Sequence, residues 1–363
     1  MDVISIYAPG NLDIYDSYGL IACELLRHLD ASGVYVNAFS RGNRNHENQP
    51  EDIARLTRQP VRPSCGGLFL GYPTGYADHT NALGQIGNRI AITMFESSKI
   101  PGAWVEPLNE MDAVIVPSRF CFDVFADCGV SKDLLHIVPL GISEAYQPIT
   151  RNTERPLTFL AFLDRGARKG GHAAVQAFVK AFGDRDDVQL ILKSREPKVR
   201  IEITNPNIKV VQEDMTEAEL AELYGRCDVL INPNKGEGFG LIPREFAATG
   251  GIALATDWSG TADDIDAWGY PLPYNLVPAD WAGARNLEGQ DLGVWAEPDI
   301  EGIADILLYS IFPHRERLQR EAMANAPYIH KLYNWQSFAL SVFDIWNEVK
   351  RHGNRNPAHA LLA

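Results

Sequence analysis

Three observations predict an α/β protein built from two successive Rossmann-like domains that face each other across a cleft. Short apolar runs alternate with amphipathic helical segments. The alternation pauses at a polar, proline-containing stretch, SEAYQPITRNTERP (143–156), and then restarts. The 363 residues also exceed what one core usually serves, about 250–300. The expected boundaries are 1–148 for the first domain and 156–330 for the second.

The first domain opens with the apolar run VISIYAP (3–9), read as a strand. SYGLIACELLRHLDASG (17–33) has apolar residues at helical spacing and stops at Gly33, and VYVNAF (34–39) is a second strand. That βαβ order is the start of a Rossmann-like unit. The polar, proline-punctuated stretch 40–63 reads as loop with a short helix. Further strands are expected at GLFLGYP (67–73), RIAITMF (89–95), DAVIVPS (112–118) and HIVPLG (136–141), with helices between them. Ser118 heads one of these helices and suits an N-cap.

In the second half LTFLAFL (157–163), VQLILK (188–193) and IKVVQ (208–212) read as strands. HAAVQAFVKAF (172–182) and EAELAELYGRC (217–227) read as helices. CDVLINP (227–233) and GIALATD (251–257) are strands flanking a glycine-rich turn and a helix. Helical character returns at 299–326 and in WQSFALSVFDIWNEVK (335–350), and RHGNRNPAHALLA reads as a loose tail.

Composition excludes several classes. Hydrophobic residues make up 45% and charged residues 22%, the balance of an ordinary globular protein. A formal net charge of −14 argues against non-specific binding to nucleic acid or anionic lipid. Five scattered cysteines do not suggest a disulfide framework. The N-terminus lacks a basic region and a long apolar run, and no apolar stretch reaches spanning length, so a cytoplasmic location is expected.

The most informative segment is NPNKGEGFGLIPREFAATGGIALATDWSG (232–260). A glycine-rich turn after a strand lets backbone approach a ligand, and the following helix N-terminus offers free N–H groups to an anion. Glu237 sits in the turn and Glu245 in the helix. Eight positions are a little over two helical turns, so the pair can touch the two ends of an elongated ligand while the helix start touches its middle. A nucleotide-sugar has that shape.

E-G-F-G-L-x-x-x-E-x-x-A-x-G resembles the E-x7-E signature of retaining glycosyltransferases of the GT-B fold, family 4. FLDRGARKGGHAAVQAF (162–178) is similar to that family's phosphate-binding segment, and residues 92–130 with HIVPLGI (136–142) to its late N-terminal domain. The resemblance covers roughly residues 85–265. It implies a sugar transfer from a nucleotide-sugar donor to a hydroxyl acceptor, with retention, without metal and without a cofactor. The first domain would hold the acceptor and the second the donor, with helix 335–350 returning to the first.

The resemblance also assigns roles. Glu237 would stand near the anomeric carbon and Glu245 would take the ribose hydroxyls. Gly238, Phe239, Gly240 and Leu241 would present backbone N–H groups to sugar and phosphate. Lys169 with Arg165 or Arg168 would clamp the diphosphate. Gly19 matches the glycine-rich first turn in part. Glu96, at a strand end facing the cleft, and His79 are candidates for a sugar or acceptor pocket; each also has a purely structural reading. Asp264 and Asp266 imitate a metal-binding D-x-D but fall in a loop after the signature strand, and no H-E-x-x-H or C-x-x-C occurs, so no metal is expected. Two rival readings are a non-catalytic nucleotide-sugar-binding protein and another GT-B enzyme, a phosphorylase or an epimerase.

Overall fold

The structure is a computed structural model that describes residues 2–352 apart from 11, 14–15, 42–48, 65, 77–86, 153, 164–166, 196–203, 283 and 285. The first domain contains β1 (Val3–Ala8), β2 (Tyr35–Ser40), β3 (Gly66–Leu70), β4 (Asn88–Ile92), β5 (Ala113–Val116) and β6 (Leu135–Ile137). They form one six-stranded parallel sheet in the order β2-β1-β3-β4-β5-β6. Parallel sheets are covered on both faces, which is why these strands read as continuous apolar runs. The helix Ser17–Ala31 is capped by Asp16, whose carboxylate accepts from Tyr18 N at 3.0 Å. Ser118 caps Arg119–Asp127 as expected, accepting from Cys121 N at 3.1 Å.

The second domain contains β7 (Leu157–Phe162), β8 (Val188–Ser194), β9 (Ile208–Gln212), β10 (Val229–Asn232), β11 (Ile252–Thr256) and β12 (Tyr270–Leu272). These make a second six-stranded parallel sheet, β12-β11-β10-β7-β8-β9. The helix Glu217–Gly225 starts with a capping box between Thr216 and Glu219. The linker between the sheets is anchored rather than loose. The buried Arg151 donates to the carbonyls of Cys227 (2.6 Å), Thr249 (2.8 Å) and Tyr224 (3.3 Å).

Two features differ from the sequence reading. A two-stranded antiparallel pair, β13 (Tyr274–Pro278) with β14 (Val294–Pro298), was not expected because three prolines crowd residues 271–278 and proline removes a ladder donor. Its connection reaches the first domain: Trp281 stacks on Phe95 at 5.0 Å, and Val294 N donates to Ser98 Oγ at 2.8 Å. The helical run expected at 299–326 is broken. A helix Ile300–Asp305 passes into a π-helical turn Ile306–Ile311 and a 3-10 turn Phe312–His314 before the helix Arg315–Leu332 begins. Pro313, which lacks an N–H, sits at that break.

The last helix, Trp335–His352, crosses back to the first domain as expected. Its Trp346 is fully buried and leaves so little room at Gly66 that a Cβ there would lie 2.6 Å from the indole. Lys350 pairs with Asp2 at 2.6 Å. No helix among the described residues is long and apolar enough to cross a membrane.

Candidate functional site

The site is built from segments at the carboxyl ends of both sheets, where ligands of open parallel sheets bind. After β10 the chain turns through Pro233–Gly240 and enters the helix Leu241–Ala248. Gly240 has φ 84°, and a Cβ on it would lie 2.5 Å from Thr261 Cγ2. The left-handed bend therefore needs glycine there. The bend also corrects the spacing argument. Glu237 precedes the helix altogether, and Glu245 is only one turn inside it, so the pair is not separated by two turns of one helix. Both nevertheless line one cavity of about 170 Å³, together with Lys169, Phe239, Gly240 and Leu241.

Glu237 is fixed from three directions. Its N–H donates to Ser259 Oγ at 2.9 Å, and its carbonyl accepts from Gly260 N at 2.9 Å. Ser259 has φ 63°, a conformation that costs a non-glycine residue about 1 kcal/mol or more and is retained where surroundings enforce it. The carboxylate pairs with Lys169 at 2.7 Å and with Arg168 at 3.4 Å. Burial pushes its pKa up, but the charges of Lys169 and Arg168 outweigh that and hold it below the ordinary glutamate value.

Lys169 ends a 3-10 turn, Ala167–Lys169, in front of the helix Gly171–Phe182. Arg168 donates to the Gly236 carbonyl at 2.6 Å and reaches across the cleft to Glu96 at 3.4 Å. A glutamate from each domain thus converges on one guanidinium. Burial first, then the neighbouring Glu237 charge, raises the Glu96 carboxyl, with Arg168 opposing; its Oε2 is buried without a hydrogen-bond partner. Arg165 and His79 lie outside the described residues, so Arg168 is the arginine seen at this point.

Glu245 meets a different environment. It is buried, and Tyr224 donates its hydroxyl to Oε2 at 3.3 Å. Burial, reinforced by the negative charge of Glu217, pushes its pKa up to about 8, with Tyr224 and Arg195 opposing. Arg244, the adjacent residue in sequence, is not its partner. That guanidinium is buried in the opposite direction, donating to the carbonyls of Phe239, Gly240 (3.3 Å), Gly260 (3.0 Å) and Asp263 (2.9 Å).

Gly19 lies in the first turn of its helix, and the cavity is lined by its neighbours Ser17 and Leu20. Gly238 packs against Met94 of the first domain, and its carbonyl accepts from Cys121 Sγ at 3.5 Å. Asp264 and Asp266 belong to the start of the short helix Ile265–Trp268 and do not line the cavity. Among the described residues no group of three or more histidine, cysteine, aspartate or glutamate side chains is arranged to hold a metal ion.

Sequence reading missed Lys193 and Arg195, which line the same cavity. The signal was present: the apolar run of β8 ends in two basic residues at its carboxyl edge. It also missed Tyr224 and Arg244, whose roles depend on contacts no local pattern encodes.

No protein-family model matches the chain. A 176-residue stretch is 28% identical to MMP alpha-(1->4)-mannosyltransferase of Mycolicibacterium hassiacum, covering 47% of this chain and 42% of that protein. The match therefore spans under half of the relative's length. Among solved structures, sucrose-phosphate synthase from Thermosynechococcus elongatus superposes with a TM-score of 0.67 over 97% of this chain and 100% of that one, at 14% identity. Anabaena HepE in complex with UDP and glucose gives 0.65 over 96% and 99%, at 11% identity. A glycosyltransferase from Rickettsia africae gives 0.64 over 96% and 98%, at 13% identity. With two six-stranded parallel sheets, a cleft between them and a returning final helix, the chain has the GT-B fold.

Proposed function

We propose that the protein is a glycosyltransferase that moves a sugar from a nucleotide-sugar to a hydroxyl acceptor, with retention and without a metal ion. The observation that carries this reading is the convergence of Glu237, Lys169 and Glu245 on one cavity between the two sheets. Residues 156–330 would hold the donor, and residues 1–148 with the returning helix would hold the acceptor.

In this reading Glu245 accepts the ribose hydroxyls, and the N-terminus of the helix Leu241–Ala248 faces the diphosphate. Lys169 and Arg168 exchange one of their carboxylate contacts for phosphate oxygens. The bond between the anomeric carbon and the phosphate oxygen breaks, and the acceptor oxygen bonds to that carbon on the same face. The acceptor proton passes to the departing phosphate, so no protein base is required. Glu237 stays ionised beside the developing positive charge, and the two cations neutralise the leaving group. Because the superposed HepE was captured with UDP and glucose, a uridine nucleotide is the first donor to test.

The test begins with calorimetry of a nucleoside-diphosphate panel against wild-type and Glu245→Ala protein. Nucleotide affinity unchanged by that substitution removes the ribose role. Anomeric-proton NMR of the product decides retention, and an inverted linkage refutes it. Turnover abolished by EDTA and restored by magnesium or manganese ions refutes metal independence. A protein that binds nucleotide-sugar but neither hydrolyses nor transfers it is the non-catalytic alternative.

A further inference from the structure

A second cavity, of about 330 Å³, opens beside the donor cleft in the first domain. It is walled by Pro9, Tyr18, Arg41, Leu70, Tyr72 and Tyr76. Pro9, Arg41 and Gly71 immediately follow the carboxyl ends of β1, β2 and β3, three adjacent strands, which is where an open parallel sheet receives ligands.

The wall is rigid and aromatic. Tyr72 packs on Trp104 with ring centroids 4.6 Å apart and meets Tyr18 edge-on at 6.2 Å. The Tyr76 hydroxyl donates to the Gly71 carbonyl at 2.8 Å. The Tyr18 hydroxyl accepts from Met94 N at 3.1 Å. Met94 in turn lines the donor cavity, so the Tyr18–Met94 contact joins the walls of the two spaces. Tyr72 stands beside Glu96, the carboxylate that shares Arg168 with Glu237. The wall of this cavity therefore reaches the proposed reacting centre through Tyr72 and Glu96.

Among the described residues lining this cavity, Arg41 is the one with a charged side chain. Aromatic faces pack well against the apolar face of a sugar ring. Guanidinium is the group that binds a carboxylate or phosphate through paired N–H donors. We propose that this cavity is the acceptor subsite and that it takes a glycoside ring carrying an anionic substituent, with the ring against the tyrosines and the anion on Arg41. The proposal rests on the transferase reading and specifies its acceptor.

The experiment uses full-length protein saturated with nucleoside diphosphate and three methyl glucosides that differ only at C6: hydroxyl, carboxylate and phosphate. Affinities are measured by saturation-transfer NMR. The two anionic probes are expected to bind about tenfold more tightly than the neutral one, as charge-assisted hydrogen bonds allow. Whichever of them is tighter names the anion. Arg41→Met, an exposed change, should erase the preference, and Lys180→Met, which removes an exposed charge of the second domain that lines neither cavity, should leave it intact. Equal binding of all three probes, binding of none, a preference that survives Arg41→Met, or one lost in Lys180→Met each overturns the proposal. Failure of the nucleoside diphosphate to bind is read separately and overturns the donor assignment instead.

Discussion

Glu237 and Glu245 are the same residue type, eight positions apart, in one loop-and-helix unit lining one cavity, yet their carboxyls are driven in opposite directions. Burial acts on both and favours the neutral form. At Glu237 two cations at 2.7 and 3.4 Å reverse that effect. At Glu245 the neighbours are a tyrosine hydroxyl and the negative Glu217, and the carboxyl rises to about 8. The difference teaches that the signature spacing does not set the chemistry of its glutamates. Their partners do, and those come from other segments: residues 168–169 for one, Tyr224 and Glu217 for the other. The environments suit the proposed roles, a fixed negative charge beside a cationic anomeric carbon and a hydrogen-bonding group for ribose hydroxyls.

The largest expected effect comes from erasing the charge on the first member of the pair. Glu237→Gln keeps the shape, so nucleotide affinity should change little, while the rate of transfer should fall by about 10–1000-fold. Single-turnover kinetics separate the two. Normal chemistry with poor donor binding would show that Glu237 acts only in the ground state. Next in size is Arg244→Met, which attacks the frame that holds both carboxylates. It strips partners from the carbonyls of Phe239, Gly240, Gly260 and Asp263 in a buried setting, at a cost of about 3 kcal/mol. Urea unfolding measures it, and wild-type stability in this variant would dismiss the frame role.

Much of the fold was legible because parallel strands buried on both faces read as apolar runs, and their alternation with helices restarts after the linker. That Glu237 and Glu245 share a cavity was legible because a turn that brings backbone to a ligand needs glycines at set positions, and Lys169 joined them only through the resemblance of its segment to a phosphate-binding one. The depth of Glu245 in its helix was overestimated because a left-handed Gly240 looks, in sequence, like any other glycine of the turn. β13 and β14 were hidden by prolines that an antiparallel edge pair tolerates. Arg168, Glu96 and Tyr72 could not be brought together from sequence, since each lies on a different segment and Arg168 comes from the other domain.

A third prediction concerns pH. A carboxyl whose folded pKa lies above its unfolded value of about 4.5 stabilises the fold fully below that value, and the benefit is lost as pH rises through the folded pKa. For Glu245 the window is therefore pH 4.5 to about 8. Relative to Glu245→Gln, which does not titrate, the wild type should lose on the order of 2 kcal/mol between pH 6 and pH 8. Glu237 has the opposite sign: its contribution is present above the unfolded value and disappears as pH falls through its lowered pKa. Parallel pH profiles for Glu245→Gln and wild type from pH 5 to 9 would contradict the raised carboxyl.

The smallest effect isolates one atom. The Tyr224 hydroxyl donates to Glu245 Oε2 at 3.3 Å and is the hydrogen bond that favours the ionised form against burial and Glu217. Tyr224 itself stays protonated at pH 9, because burial and the adjacent Glu245 hold its phenol well above its ordinary value. It therefore remains a donor throughout the range in which Glu245 ionises. Tyr224→Phe deletes that oxygen while keeping the ring that packs edge-on against Phe246. Where Glu245 is charged, the lost bond should cost about 1 kcal/mol; where it is protonated, less, because a neutral carboxyl forfeits a weaker interaction. The expected result is a stability loss at pH 9 that exceeds the loss at pH 5, with the Glu245 titration displaced upward. Urea unfolding of both proteins at the two pH values measures this difference. An equal loss at both would show that the tyrosine only packs, and that the contrast between the two glutamates rests on the cations at Glu237 alone.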